Sequence, residues 1–160
     1  PHHASSAASD VYKRQNFILD EVRRKAKGFI QINNKDKIIT LYDNAELYYM
    51  DIELKSGIIK FNWESNIVSA GRIRDSVGNY TQSPVFKQGG DEINPDSLRY
   101  NFDSKKALIW NSRTKQNDMN VFSFATKKES DSIYFIKEAK VTTSSNLDDP
   151  EYYILSLIHI

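Results

Sequence analysis

Alternation of large apolar and polar side chains is what most restricts the folds open to this chain. Ile59, Phe61 and Trp63 alternate with Lys60, Asn62 and Glu64, and Leu98, Tyr100 and Phe102 alternate with Arg99, Asn101 and Asp103. A period of two places one set of side chains on one face of a β-sheet and the other set on the opposite face. Tyr48, Met50, Ile52 and Leu54 alternate less cleanly with Leu47, Tyr49, Asp51 and Glu53. Further strands are expected over residues 28–33, 37–42, 67–70, 106–112, 119–126, 132–137 and 139–144, separated by turn sequences such as Asn33-Asn34, Gly78-Asn79, Gly89-Gly90 and Asn94-Pro95-Asp96. Only residues 17–26 are compatible with a helix. The pattern predicts an all-β domain: a sandwich, a barrel or a β-solenoid.

The strands also repeat. Residues 28–33 (GFIQIN) resemble residues 57–62 (GIIKFN), and residues 59–65 (IKFNWES) resemble residues 98–104 (LRYNFDS). Each copy is an alternating strand, a turn containing asparagine, and a second apolar strand (38–41, 67–68, 107–110). Such pairs stack, because one pair cannot bury its own apolar face.

The ends read differently. Residues 10–15 (DVYKRQ), written as GAT GTG TAT AAG AGA CAG, have the reverse complement CTG TCT CTT ATA CAC ATC, which encodes residues 155–160 (LSLIHI). Two ends written by opposite strands of one DNA word point to a sequencing adapter. Residues 5–15 and 155–160 are therefore read as translated adapter and residues 1–4 as foreign, leaving residues 16–154 as the natural domain. All three histidines (His2, His3, His159) fall in the excluded ends, and there is no cysteine. A Cys/His zinc site, a thiol nucleophile and a histidine-based triad are thereby excluded from residues 16–154. The 22 basic residues less Lys13 and Arg14 leave 20, and the 21 acidic residues less Asp10 leave 20. That balance gives no electrostatic case for nucleic acid. No apolar run approaches the ~20 residues of a membrane-spanning helix.

The run NAELYYMDIELKSGIIKFNW (residues 44–63) is followed in order by VSAG (68–71), Gly78, PVF (84–86), GGDE (89–92), DSLRYNF (96–102), VTT (141–143) and PEYY (150–153). This ordered set resembles OstA-like domains, and within them the N-terminal periplasmic domain of the LptD type, with the LptA and LptC types as alternatives. The resemblance implies an open β-jellyroll of stacked antiparallel strand pairs with an apolar groove that carries the acyl chains of lipopolysaccharide. It implies a periplasmic location at the outer membrane, and edge-strand addition to neighbouring OstA-like domains of the LptA type. It also implies an outer-membrane barrel and an LptE-type lipoprotein as partners, residues 16–154 being a fragment of that larger protein. It implies no enzyme activity, cofactor or metal. Relatives often carry a cysteine after the Thr-Thr pair; Ser144 and Ser145 stand there here, which speaks against a disulfide to the barrel from this place.

The groove candidates are Ile59, Phe61, Trp63, Leu98, Tyr100, Phe102 and Trp110, with Phe122, Phe124 and Phe135. Apolar burial is non-directional, so a face of this kind lets acyl chains slide. The same residues could simply fill a β-core, because a core position and a groove-lining one have the same sequence signature. Two other classes compete. A carbohydrate- or protein-binding sandwich would expose aromatics on an outer face over a closed core. KQGGDEIN (residues 87–94) is nearly the signature of diguanylate cyclases, but that chemistry needs an α/β domain, and the flanks here read strand-turn-strand. In that setting Gly89-Gly90 is a turn and Asp91 and Glu92 are solvated. Arg23-Arg24-Lys25 could meet an anionic headgroup, although a solvated face is the simpler reading. Asp148, Asp149 and Glu151 read as a loop.

Overall fold

The computed structural model describes residues 22–116, 118–130, 133–145 and 154–156. The strands in chain order are β1 (Arg23–Lys25), β2 (Phe29–Asn33), β3 (Ile38–Tyr49), β4 (Ile52–Asn62), β5 (Ile67–Gly71), β6 (Ile73–Arg74) and β7 (Tyr80–Thr81), then β8 (Val85–Gln88), β9 (Asp91–Ile93), β10 (Ser97–Asn101), β11 (Ala107–Gln116), β12 (Met119–Lys128), β13 (Tyr134–Thr142) and β14 (Ile154–Ser156). Twelve form one antiparallel sheet whose path runs β1-β3-β4-β5-β10-β11-β12-β13-β14; β2 also pairs with β3, and the β8–β9 hairpin pairs with β4. The sheet keeps two edges, so it is an open jellyroll and not a closed barrel.

β4 is where the sheet opens. Along one side it pairs with β3 throughout. On the other, Ile52 to Lys55 pair with β8 and Ile58 to Asn62 pair with β5. The fork falls at Ser56 and Gly57. Opposite it β3 carries a bulge, with Asp43 and Asn44 both at positive φ. Gln82 holds the fork together: its Nε2 donates to Asp43 Oδ1 (2.7 Å), its Oε1 accepts from Asn44 N (2.7 Å), and its carbonyl accepts from Gly57 N (2.9 Å). Apolar residues of both branches meet between them: Leu41 and Leu47 of β3, Leu54, Ile59 and Phe61 of β4, Phe86 of β8, and Leu98 and Tyr100 of β10.

The repeat is a ladder of identical turns. Asn33 Oδ1 accepts from Lys35 N and Asp36 N (both 3.0 Å), Asn62 Oδ1 from Glu64 N and Ser65 N (both 3.0 Å), and Asn101 Oδ1 from Asp103 N and Ser104 N (2.9 and 3.1 Å). Four residues after each asparagine the backbone turns left-handed, at Lys37 (φ 60), Asn66 (φ 57) and Lys105 (φ 58). Main chain joins tier to tier: Trp63 N donates to Lys37 O and Phe102 N to Asn66 O, both at 3.0 Å. Asn62→Ala removes two of these hydrogen bonds from the middle tier. It should cost about 1–2 kcal/mol in urea unfolding, and an unchanged midpoint would show that the asparagine does not hold the turn.

Three expectations change. Arg23, Arg24 and Lys25 are not helical: they pair with Tyr48, Leu47 and Glu46 of β3, so the neighbouring strand overrides local propensity. Residues 17–21 lie outside the described residues, and Val22 and Ala26, on either side of β1, are not in a helix. The series through Tyr48, Met50, Ile52 and Leu54 is two strands: Tyr49 pairs with Ile52 across a two-residue loop, and Met50, at φ 56, is 78% exposed. Residues 132–137 and 139–144 are not separate strands; β13 runs on through Glu138, which is left-handed (φ 52). Residues 1–15 lie outside the described residues. β14 takes in Leu155 and Ser156 from the stretch read as adapter and pairs with Ala139 to Val141.

Candidate functional site: an apolar groove between the sheet branches

The branch formed by β8 and β9 faces the branch formed by β10 to β13 across a groove of roughly 960 Å³. Its floor is apolar: Ile52, Phe86, Leu98, Tyr100, Phe102 and Ile109 line it. Adjacent strands bring these side chains together, since Leu98 is opposite Ile109 and Tyr100 is opposite Ala107 in register. The aromatic part of the floor is locked by ring contacts. Phe102 meets Tyr100 edge-on at 5.2 Å, and Phe86 lies 5.5 Å from Tyr100. Charged residues of both signs border the same space, among them Asp51, Asp91, Glu92, Lys105 and Lys115.

Hydrogen bonds also span the branches, beside the Phe86–Tyr100 ring pair. Asn94 and Arg113 form an isolated antiparallel bridge, with backbone hydrogen bonds of 3.3 and 3.2 Å. Lys128 Nζ of β12 donates to Gln88 Oε1 of β8 at 3.2 Å.

The ten sequence candidates divide into three groups. Leu98, Tyr100 and Phe102 line the groove. Ile59, Phe61 and Trp63 are buried in the core and are not part of the lining. Trp110, Phe124 and Phe135 are exposed and do not line the groove, and neither does half-buried Phe122, which has the Arg113 guanidinium 6.0 Å from its ring. The cause is a ripple across three strands. Asn111 (φ 50) and Glu138 (φ 52) are left-handed, and Asn111, Phe124 and Glu138 drop out of the pairing. Alternation changes phase there: Ala107 and Ile109 point inward before it and Ser112 after it, leaving Trp110 outside.

Sequence reasoning missed Ile52, Phe86, Ile109 and a polar stretch of groove wall on β12. In the 106–112 strand it is Ile109, opposite Leu98, that faces inward, and not the larger Trp110. Phe86 lies in a strand too short to show a period.

Outside the groove, Trp110 and Phe124 border a shallow depression of roughly 490 Å³ with Tyr80, Arg72, Asp96 and Asn111. Arg74 donates to the Tyr80 hydroxyl (3.0 Å), and that hydrogen bond holds the phenol below its ordinary pKa. The Arg72 guanidinium lies 4.3 Å from the Tyr80 ring centroid.

The cyclase-like tetrad is the β8–β9 hairpin. Gly89 takes the left-handed conformation (φ 60), and Gln88 and Lys87 pair with Asp91 and Glu92. Among the described residues there is no helix to build an α/β nucleotide site. Nor, among them, do three or more His, Cys, Asp or Glu side chains gather to hold a metal ion. Asp148, Asp149 and Glu151 lie outside the described residues.

No family model matches the sequence, and no curated protein matches it. A solved structure does. It is the crystal structure of LptH from Pseudomonas aeruginosa, the LptA-homologous periplasmic component of the lipopolysaccharide transport device, with a TM-score of 0.57 at 9% identity. The fold is similar to that of LptH. The match covers 86% of this chain and 95% of LptH, so it takes in the forked sheet as a whole and not one hairpin. At 9% identity the likeness to LptH is one of backbone architecture: an open antiparallel jellyroll.

Proposed function

We propose that this chain is a lipopolysaccharide-transport domain that works in the periplasm, with its groove carrying acyl chains. The observation that carries the reading is the open apolar floor of Ile52, Phe86, Leu98, Tyr100, Phe102 and Ile109 between branches that do not close into a barrel. Chains held there gain about 25 cal/mol per Å² of buried apolar surface without a fixed orientation, which suits cargo in motion. The LptA-type fold supports it. So does the edge at β2, where every residue of FIQIN is exposed, including Phe29, Ile30 and Ile32. An apolar edge strand of this kind is a template for strand addition by a neighbouring domain of the same fold. Within that class we favour the LptD type, feeding an outer-membrane barrel with its lipoprotein partner, on the Thr-Thr and Pro-Glu-Tyr-Tyr sequences.

The binding-module alternative calls for exposed aromatics over a closed core. Trp110 and Phe124 are exposed, but the interior is a groove. Photo-crosslinking side chains at Phe86, Leu98 and Tyr100, with Phe135 as the outer-face control, separate the two. Capture of lipopolysaccharide at the first three positions and not at Phe135 is the expected result. Capture at Phe135 with none at Tyr100 or Leu98 would remove the groove from the function.

A further inference from the structure

We infer that the outer face of the sheet carries a second binding site, for a neutral sugar: Trp110 and Phe124 supply a stacking surface, and Asp96, Asn111 and Arg72 supply the hydrogen bonds. The inference does not rest on the groove reading. Ser97 and Trp110 border the outer depression, whereas their chain neighbours Leu98 and Ile109 line the groove, so the two spaces lie on opposite faces of β10 and β11.

The rings are open because their neighbours are small. Trp110 stands opposite Ser97 on one side and Ala125 on the other, and Gly71 follows beyond Ser97. With such flanks the indole stays exposed. Phe124 has dropped out of the pairing between β11 and β12, is exposed too, and borders the same depression. Aromatic rings offer a large apolar area with few rotors to freeze, which suits the apolar C–H face of a pyranose. The polar groups beside them are fixed. Asp96 Oδ2 accepts from Asn111 Nδ2 (3.1 Å) and lies 3.6 Å from Arg72 Nη2. The Arg72 guanidinium is held 4.3 Å from the Tyr80 ring centroid, and Arg74 in turn donates to the Tyr80 hydroxyl. Asp96 Oδ1 and Asn111 Oδ1 have no hydrogen-bond partner among the described residues.

These open groups choose the occupant. Two close-set acceptors, one of them charged, call for donors. A phosphate or carboxylate brings acceptors of its own, and Arg72 is already paired with the Asp96 carboxylate. An alkyl chain would cover both oxygens and leave them unpaired, which is costly. A peptide strand presents the N–H groups of one edge about 7 Å apart, too wide for two side chains that touch. Adjacent ring hydroxyls are closer together, and each both donates and accepts, so they serve the two oxygens and the guanidinium together. The sugar is one that is free of the groove's cargo. β13 and β14 separate β12 from the edge of the sheet. A sugar tethered to chains in the groove would have to cross those two strands, about 10 Å, to reach the rings.

The chain has two tryptophans, and Trp63 is buried, so acrylamide quenching of fluorescence reports on Trp110. The test titrates the full chain with maltoheptaose, mannohexaose and hexagalacturonate. A neutral oligosaccharide should protect Trp110 from acrylamide, with a dissociation constant of about 1 mM or below. Asp96→Ala should weaken that binding about tenfold, Phe124→Ala should weaken it as well, and Phe135→Ala should leave it unchanged. If Asp96→Ala does not fold, as judged by circular dichroism, Phe124→Ala decides. Protection by neither neutral oligosaccharide overturns the inference, as does binding that survives both Asp96→Ala and Phe124→Ala. Tighter binding of hexagalacturonate would make Arg72 the recognising group and would also overturn it. Protection by intact lipopolysaccharide with none by the lipid-free sugars would tie the depression to the cargo and overturn it too. Each of these results leaves the groove reading untouched, since that reading is decided by crosslinking on the other face.

Discussion

Phe102→Ala should lower the free energy of unfolding by about 3–5 kcal/mol. Three aromatic rings pack edge-on against Phe102: Tyr49 at 4.8 Å, Tyr100 at 5.2 Å and Phe61 at 5.8 Å, with interplanar angles of 81°, 81° and 84°. Each such pair is worth roughly 0.5–1.5 kcal/mol beyond the area it buries. Tyr49 comes from the β3–β4 hairpin, Phe61 from the far end of β4, and Tyr100 from β10, so one truncation loosens three strands at once. Phe102→Leu keeps most of the volume and should lose less. Urea unfolding of the two variants measures both. A loss below about 1 kcal/mol for the alanine would mean that the rings repack around the gap, and that Phe102 is not the centre of the cluster.

Gly57→Ala should destabilise by about 1–3 kcal/mol, although alanine is the smallest side chain that can be added. A Cβ at this position would sit 2.9 Å from Ile73 N and 2.9 Å from Ile73 Cγ1. The first of these is backbone and cannot swing away. Gly71→Ala is the matched control. It lies in the neighbouring strand β5, and its added Cβ would meet only Ile58 Cγ2, at 3.9 Å. Glycine replacement at a compatible site changes stability by under about 1 kcal/mol and commonly raises it. Thermal unfolding of both variants decides the matter: equal losses would show that the crossing at Gly57 is not tight.

The strands were readable from residues because the sheet has one wet and one dry face over most of its length, and Leu98, Tyr100 and Phe102 carry that periodicity openly. The stacked asparagine turns were readable for a similar reason, since each needs the same side-chain acceptor at the same offset. What could not be read is where the alternation changes phase. Asn111 and Glu138 enter the left-handed region without a glycine to announce it, and Trp110 and Phe135, which precede them, fall on the outer face. Groove and core were also inseparable. Phe61 and Tyr100 have the same pattern in the chain, but only Tyr100 lines the space between the branches. Which of them faces that space depends on where the β8–β9 hairpin crosses, and that is set at Gly57 by contacts with Ile73 and Gln82, far along the sequence.

The joints between tiers are main-chain hydrogen bonds, Trp63 N to Lys37 O and Phe102 N to Asn66 O, with Asn66 Nδ2 also donating to Asp103 Oδ1 (2.9 Å) at the second. A joint of that kind does not register the side chains beside it, provided that one position per turn can enter the left-handed region. Mutations can therefore accumulate along the outward faces, and in the turns outside the asparagine and the left-handed position, without breaking those main-chain hydrogen bonds. Sequences only 9% identical can then share the shape.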